Sequence, residues 1–155
     1  MSSPGNTLNS VDPHELVYAF YEVISGASDE GRHWPIFHRI MDPKCTFFAA
    51  RTTAEGQMMT GQWTADEFQR QHQDEYADRG YWRTCAGYQE FVFGGIANVI
   101  SACELRVGTR ESPPVLRGID SVQLARGDTG WHILSVAFQA ELPDLTIPSN
   151  FLDTP

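Results

Sequence analysis

At 155 residues, with hydrophobic residues at 41% and charged residues at 20%, the chain fits one ordinary globular domain. A net charge of −9 and a single lysine, Lys44, leave no positive patch to displace counterions, which argues against nucleic acid and anionic membrane surfaces as partners. Three separated cysteines without a CxxC pair argue against a disulfide framework or zinc knuckle, and with no apolar h-region or membrane-length run a cytoplasmic location is expected.

Residues 1–10 read as a flexible tail, 11–142 as the domain, and 143–155 as an irregular C-terminal tail. Asp12 can cap a first helix, with Pro13 at its first position and Glu15 three residues after the cap. Val17, Phe20, Tyr21 and Ile24 make one helical stripe, and Gly26 is its stop. A shorter helix is predicted over His33 to Met41, with Trp34, Phe37 and Met41 inward and Asp42-Pro43 ending it. Cys45 to Arg51 reads as a strand and Ala54 to Trp63 as a loop. Thr64 and Glu67 form a capping box for a third helix. Its row of Phe68, His72 and Tyr76 is otherwise surrounded by polar residues, so it suits a lid or rim.

The remainder reads as strands: Tyr81 to Phe93, Ile96 to Val107, Val115 to Ala125 and Trp131 to Glu141. Gly94-Gly95 and the Gly127 to Gly130 stretch are hairpin signals, so these strands form an antiparallel meander. In the last strand, Trp131, Ile133 and Ala137 alternate against Leu134, Val136 and Phe138, leaving both faces apolar. The outer sheet face is therefore expected to meet a second copy of the chain.

This order of elements resembles the nuclear-transport-factor-2-like superfamily, which includes ketosteroid isomerases, scytalone dehydratases and SnoaL-type cyclases. The resemblance spans residues 12–142 and is sharpest in RGIDSVQLARGDTGWHILSVAFQAE, Arg117 to Glu141, while GGIANVISACELR resembles an uncharacterised bacterial branch. It implies an α+β fold: a cone-like curved antiparallel sheet wrapped by N-terminal helices around a pocket. It further implies an oxyanion-hole tyrosine at Tyr21 and a second oxyanion donor at Asp120, a carboxylic acid kept protonated by an apolar site. The isomerases' catalytic base falls at Ala49 here, and the dehydratases' two histidines have no counterpart near Ala86 or in Ile96 to Val107.

Read on its own, Asp120 lies between apolar neighbours on a central strand. It either donates to a ligand oxygen, or accepts backbone bonds, or pairs with Arg117 or Arg51. His72 is the substitute base, since a histidine titrates at about pH 6.5. Trp34, Phe48, Trp63, Phe68 and Tyr76 are candidate pocket walls, and Glu104 is a candidate partner for an arginine. No HExxH pair, GxSxG, P-loop or Rossmann fingerprint occurs, so neither metal nor cofactor is expected. Three functions stay open: a cofactor-independent lyase- or isomerase-like enzyme on a small hydrophobic carbonyl compound, a non-catalytic binder of such a molecule, or a dimeric protein-interaction module.

Overall fold

The structure, a computed structural model, describes residues 11–152; the predicted N-terminal tail lies outside them. Helix α1 spans Pro13–Val23. Asp12 holds the cap position in extended conformation, though its side chain makes no capping bond. The predicted stripe is buried, with Leu16, Val17, Phe20, Tyr21 and Ile24 each no more than 2% exposed. Helix α2, Trp34–Ile40, turns Trp34, Phe37 and Ile40 inward. Met41 is already extended and opens strand β1, Met41–Thr52. The Asp42-Pro43 break is thus absorbed as an irregularity between Met41 and Thr46, where a missing N–H is tolerated.

Strand β2, Met58–Thr64, lies where a loop was expected. It is an edge strand with mostly exposed side chains, so no apolar alternation marks it. Helix α3, Ala65–Glu75, begins with both halves of the Thr64–Glu67 capping box. It is more than a rim. Phe68 stacks on Phe47 with ring centroids 4.4 Å apart, and His72 is buried. Phe68 and His72, with Ala65 buried at its start, suffice to seat a helix that is otherwise polar.

Strands β3 (Tyr81–Phe93), β4 (Ile96–Val107), β5 (Leu116–Gly127) and β6 (Gly130–Ala140) form the antiparallel meander. The sheet order is β2-β1-β6-β5-β4-β3, and β1 lies parallel to β6, so the sheet is mixed rather than wholly antiparallel. The chain leaves β2 through α3, enters the far edge at β3, and the meander returns it beside β1.

Strand β6 departs from the expected simple alternation. A bulge at Leu134, where Gln123 pairs with Ser135 but Leu124 with Ile133, switches the alternation. Trp131, Ile133, Val136 and Ala140 are therefore all buried, while Leu134 and Ala137 are exposed. Members of both expected groups, Trp131 and Ile133 from one and Val136 from the other, thus share the inner face. A cluster of exposed apolar residues lies at the β3–β4 hairpin tip, where Phe91, Val92, Phe93 and Ile96 are 51–84% exposed.

Two links position the site. Gly26 and Tyr81 exchange backbone hydrogen bonds of 2.8 and 3.0 Å, and Arg83 N–H donates to Ser25 Oγ at 3.0 Å, which ties the end of α1 to edge strand β3. Beyond β6 the chain crosses the sheet, and a 3-10 turn at Ser149–Phe151 packs on β3 and β4. No helix among the described residues is long and apolar enough to cross a membrane.

Gly118 leaves room for the Phe138 ring; a Cβ there would meet that ring and the Gln139 carbonyl. Gly118→Ala is expected to destabilise the protein by about 1–3 kcal/mol through overpacking. Urea unfolding checks this, and an unchanged midpoint would show that Phe138 is free to move aside.

Candidate ligand site around a buried ion pair

Asp120 sits on β5, opposite Ser101 of β4 and Phe138 of β6, and is fully buried. Arg83 from β3 reaches it across β4: Nη2 donates to both carboxylate oxygens at 2.7 Å. Tyr21 from α1 donates to Oδ2 at 2.6 Å, and its oxygen lies 2.9 Å from Ser101 Oγ. Arg83 Nη1 donates to Tyr81 OH at 3.2 Å. The guanidinium lies 5.4 Å from the Tyr21 ring centre and 5.0 Å from that of Phe138, a cation between two aromatic faces.

Burial is the largest influence on Arg83 and would lower its pKa, but the Asp120 carboxylate together with Cys103, Tyr81 and Tyr21 outweighs it and holds Arg83 well above the usual arginine value. Burial, then the Asp120 carboxylate, push the Tyr21 phenol well above its ordinary value, so Tyr21 stays a donor. Asp120 is the common acceptor of this group. That geometry differs from the donor role the resemblance implies, because the arginine and the tyrosine already aim their hydrogens at both oxygens.

Arg83 was missed from the sequence, which offered Arg117 and Arg51 instead. Arg117 lies with Glu104 at 3.3 Å and Glu141 at 4.0 Å, and Glu104 also meets Arg106 at 3.1 Å. The available signal was parity. Tyr81, Arg83 and Cys85 alternate onto one face of β3, so a buried Tyr81 implies an inward Arg83.

The structure brings together Tyr21 and Asp120 but not His72. His72 Nε2 donates to the Ile24 carbonyl at 3.0 Å. Its ring meets Tyr81 at 4.4 Å, with Trp34 and Tyr76 at 5.5 and 5.0 Å. Burial, with the Arg32 guanidinium adding to it, pulls the imidazole down to about 4. It is a neutral core residue, poorly suited to act as the base on the Tyr21–Asp120 group.

The expected pocket walls divide between two places. Trp63 and Phe68 border a small cavity inside the cone, with Ala49, Phe138, Arg83 and Asp120, of about 80 Å³. Phe48 borders it too, but strand alternation puts its side chain opposite Phe47, on the outer face. Trp34 and Tyr76 border a separate cleft with His72, of about 210 Å³. The cone is narrow because Phe20, Phe37, Phe47 and Phe68 fill it as one aromatic cluster. A larger open cleft of about 550 Å³ lies between α1 and β3, lined by Tyr18, Tyr21, Ser25, Arg83 and Cys85, with Glu22, Glu30, His33 and Arg110 around them. Arg83 therefore borders both the cone cavity and this cleft.

These features define the nuclear-transport-factor-2-like, cystatin-like α+β fold. Solved structures agree. A nuclear-transport-factor-2-like protein of unknown function from Silicibacter pomeroyi is 18% identical, covers 83% of this chain and 92% of its own, and has a TM-score of 0.53. A protein of unknown function with a cystatin-like fold from Nostoc punctiforme is 9% identical over 88% and 97% of the two chains, TM-score 0.59. A provisionally named aromatic ring hydroxylase from Novosphingobium aromaticivorans is 9% identical over 99% and 100%, TM-score 0.58. No protein-family model and no curated protein matches the sequence.

The depressed His72 gives a pH prediction. Its folded pKa of about 4 lies below the ordinary 6.5. As pH falls through this window, the unfolded chain takes up a proton that the folded chain refuses, so stability falls. Between pH 7 and 4.5 the wild type should lose about 2–3 kcal/mol more than His72→Gln, whose amide keeps a donor for Ile24. Denaturant unfolding at both pH values measures this; equal losses would contradict it.

Proposed function

We propose that the chain binds a small, largely apolar molecule in the cleft between α1 and β3, with Arg83 as its polar contact. Volume carries this reading. The cleft holds about 550 Å³ and the cone cavity about 80 Å³, while small-molecule sites usually span roughly 300–1,000 Å³. The Tyr18 and Tyr21 rings supply an apolar wall. The Arg83 side chain is 11% exposed, and Asp120 already neutralises it. A neutral acceptor such as a carbonyl oxygen therefore suits it better than a second carboxylate, which would compete with Asp120.

The second reading is a cofactor-independent lyase- or isomerase-like enzyme on the same class of molecule. The 2.6 Å contact between Tyr21 and Asp120 favours it. In that case Arg83 polarises the carbonyl, and a water supplies the proton acceptor that Ala49 and His72 do not. A second copy on the outer sheet face is supported by the exposed apolar residues there: Phe48 and, at the hairpin tip, Phe91, Phe93 and Ile96.

A panel of small aromatic and alicyclic ketones, read by thermal shift and by product analysis, tests both readings. At least one compound should raise the wild-type melting temperature unchanged. Tyr18→Ala should weaken its binding about fivefold, on the order of 1 kcal/mol. Trp63→Ala, inside the cone, should leave it unaltered. The reverse pattern would move the site into the cone, turnover would favour the enzyme, and no stabilisation by any compound would sink the proposal.

A further inference from the structure

The register of β3 and β4 joins two cysteines that the sequence separates. Cys85 and Cys103 are direct cross-strand partners, and both are free thiols. Directly opposed antiparallel residues have Cα atoms about 4.5–5.5 Å apart, within the roughly 4.4–6.8 Å that a disulfide spans. The two thiols face the same side of the sheet. An irregularity immediately after Cys85, between Cys85 and Gly87, lets β3 adjust locally. Exposure differs between them. Cys85 borders the 550 Å³ cleft, whereas Cys103 is 3% exposed beneath it.

We propose that Cys85 and Cys103 are a thiol pair that a hydroperoxide converts to a reversible disulfide, Cys85 reacting first. The Cys85 sulfur attacks one peroxide oxygen. The O–O bond breaks, an S–O bond forms, and the peroxide is reduced to water or an alcohol. Cys103 then attacks the Cys85 sulfur. The S–O bond breaks, its oxygen leaves as water with the Cys103 proton, and the S–S bond closes. Two thiols and one hydroperoxide thus give one disulfide, one alcohol or water, and one further water.

The surroundings support this order. Ser101 Oγ donates to the Cys85 sulfur at 3.3 Å and the Cys85 thiol donates to the Gly87 carbonyl at 3.2 Å, which hold that sulfur at the cleft wall where a hydroperoxide arrives first. Burial, then the Asp120 carboxylate, push the Cys103 thiol up to about 12, so it resolves rather than initiates. The remaining cysteine, Cys45, is 1% exposed on β1 with its sulfur 3.8 Å from Met41 Sδ, so it serves as an internal control. The pair also touches the ion pair's own partners, since Ser101 connects Cys85 to Tyr21 and Cys103 adjoins Asp120.

The test treats the whole folded chain with a small excess of tert-butyl hydroperoxide, followed by alkylation, intact mass and peptide mapping. The wild type should lose two hydrogens and two thiols, show a Cys85–Cys103 link within one chain, and recover with dithiothreitol. Cys103→Ser should leave a dimedone-reactive sulfenic acid at Cys85, and Cys85→Ser should leave Cys103 unreacted. Further oxidation of wild-type Cys85 to sulfinic acid beside a free Cys103, a link involving Cys45 or two chains, or three untouched thiols would each overturn the proposal. If a variant fails to fold, the wild-type map alone decides.

Discussion

One buried contact organises this molecule: the Arg83 guanidinium on the Asp120 carboxylate, reaching from β3 to β5 across β4. Taking either charge out of water costs several kcal/mol, and the contact persists only where its remaining hydrogen-bonding capacity is met. The neighbouring elements meet most of it, with Arg83 Nε left unpaired. Helix α1 delivers Tyr21 to the carboxylate, β3 delivers Tyr81 to the guanidinium, and β6 lays Phe138 against its face. Gly118 exists as a glycine so that Phe138 can occupy that place. The link between Gly26 and Tyr81 fixes α1 against β3, and with it the approach of Tyr21.

The same contact explains why the polar spot of the site is shifted from where a family likeness puts it. The resemblance implies an acid that donates and a separate base. Here the acid is held as an acceptor, and Ala49 supplies no base. With the cone filled by Phe20, Phe37, Phe47 and Phe68, room for a ligand remains chiefly on the α1 side of Arg83. Arg83 faces both spaces, so it separates the cone interior from the cleft and gives the cleft a nearly buried cationic donor.

Periodicity carried most of the fold. The stripe on α1, the Thr64–Glu67 box and the limits of β3 and β4 are local patterns, and local patterns survive folding. The failures are equally physical. Strand β2 is an edge with exposed side chains, so it lacks the alternation that reveals strands. The bulge at Leu134 inserts one residue into β6, and parity counted from sequence then assigns the wrong faces. The parallel pairing of β1 with β6 joins distant segments, to which no local signal corresponds. At the site, Tyr21 and Asp120 stood out because polar groups were interrupting apolar stripes. Arg83 did so too, but among exposed-looking residues an arginine reads as solvated until Tyr81 is known to be buried.

A double-mutant cycle on Arg83 and Asp120 tests this account most directly. The variants are Arg83→Met, Asp120→Asn and the two combined, each unfolded in denaturant at neutral pH. The account predicts that either single change costs about 3–5 kcal/mol, because it strands a buried charge. It also predicts that the pair together costs much less than the sum, with a coupling of about 2 kcal/mol or more. A near-neutral Asp120→Asn, or losses that simply add, would show that the fold does not depend on this ion pair and that Asp120 is free for a different role.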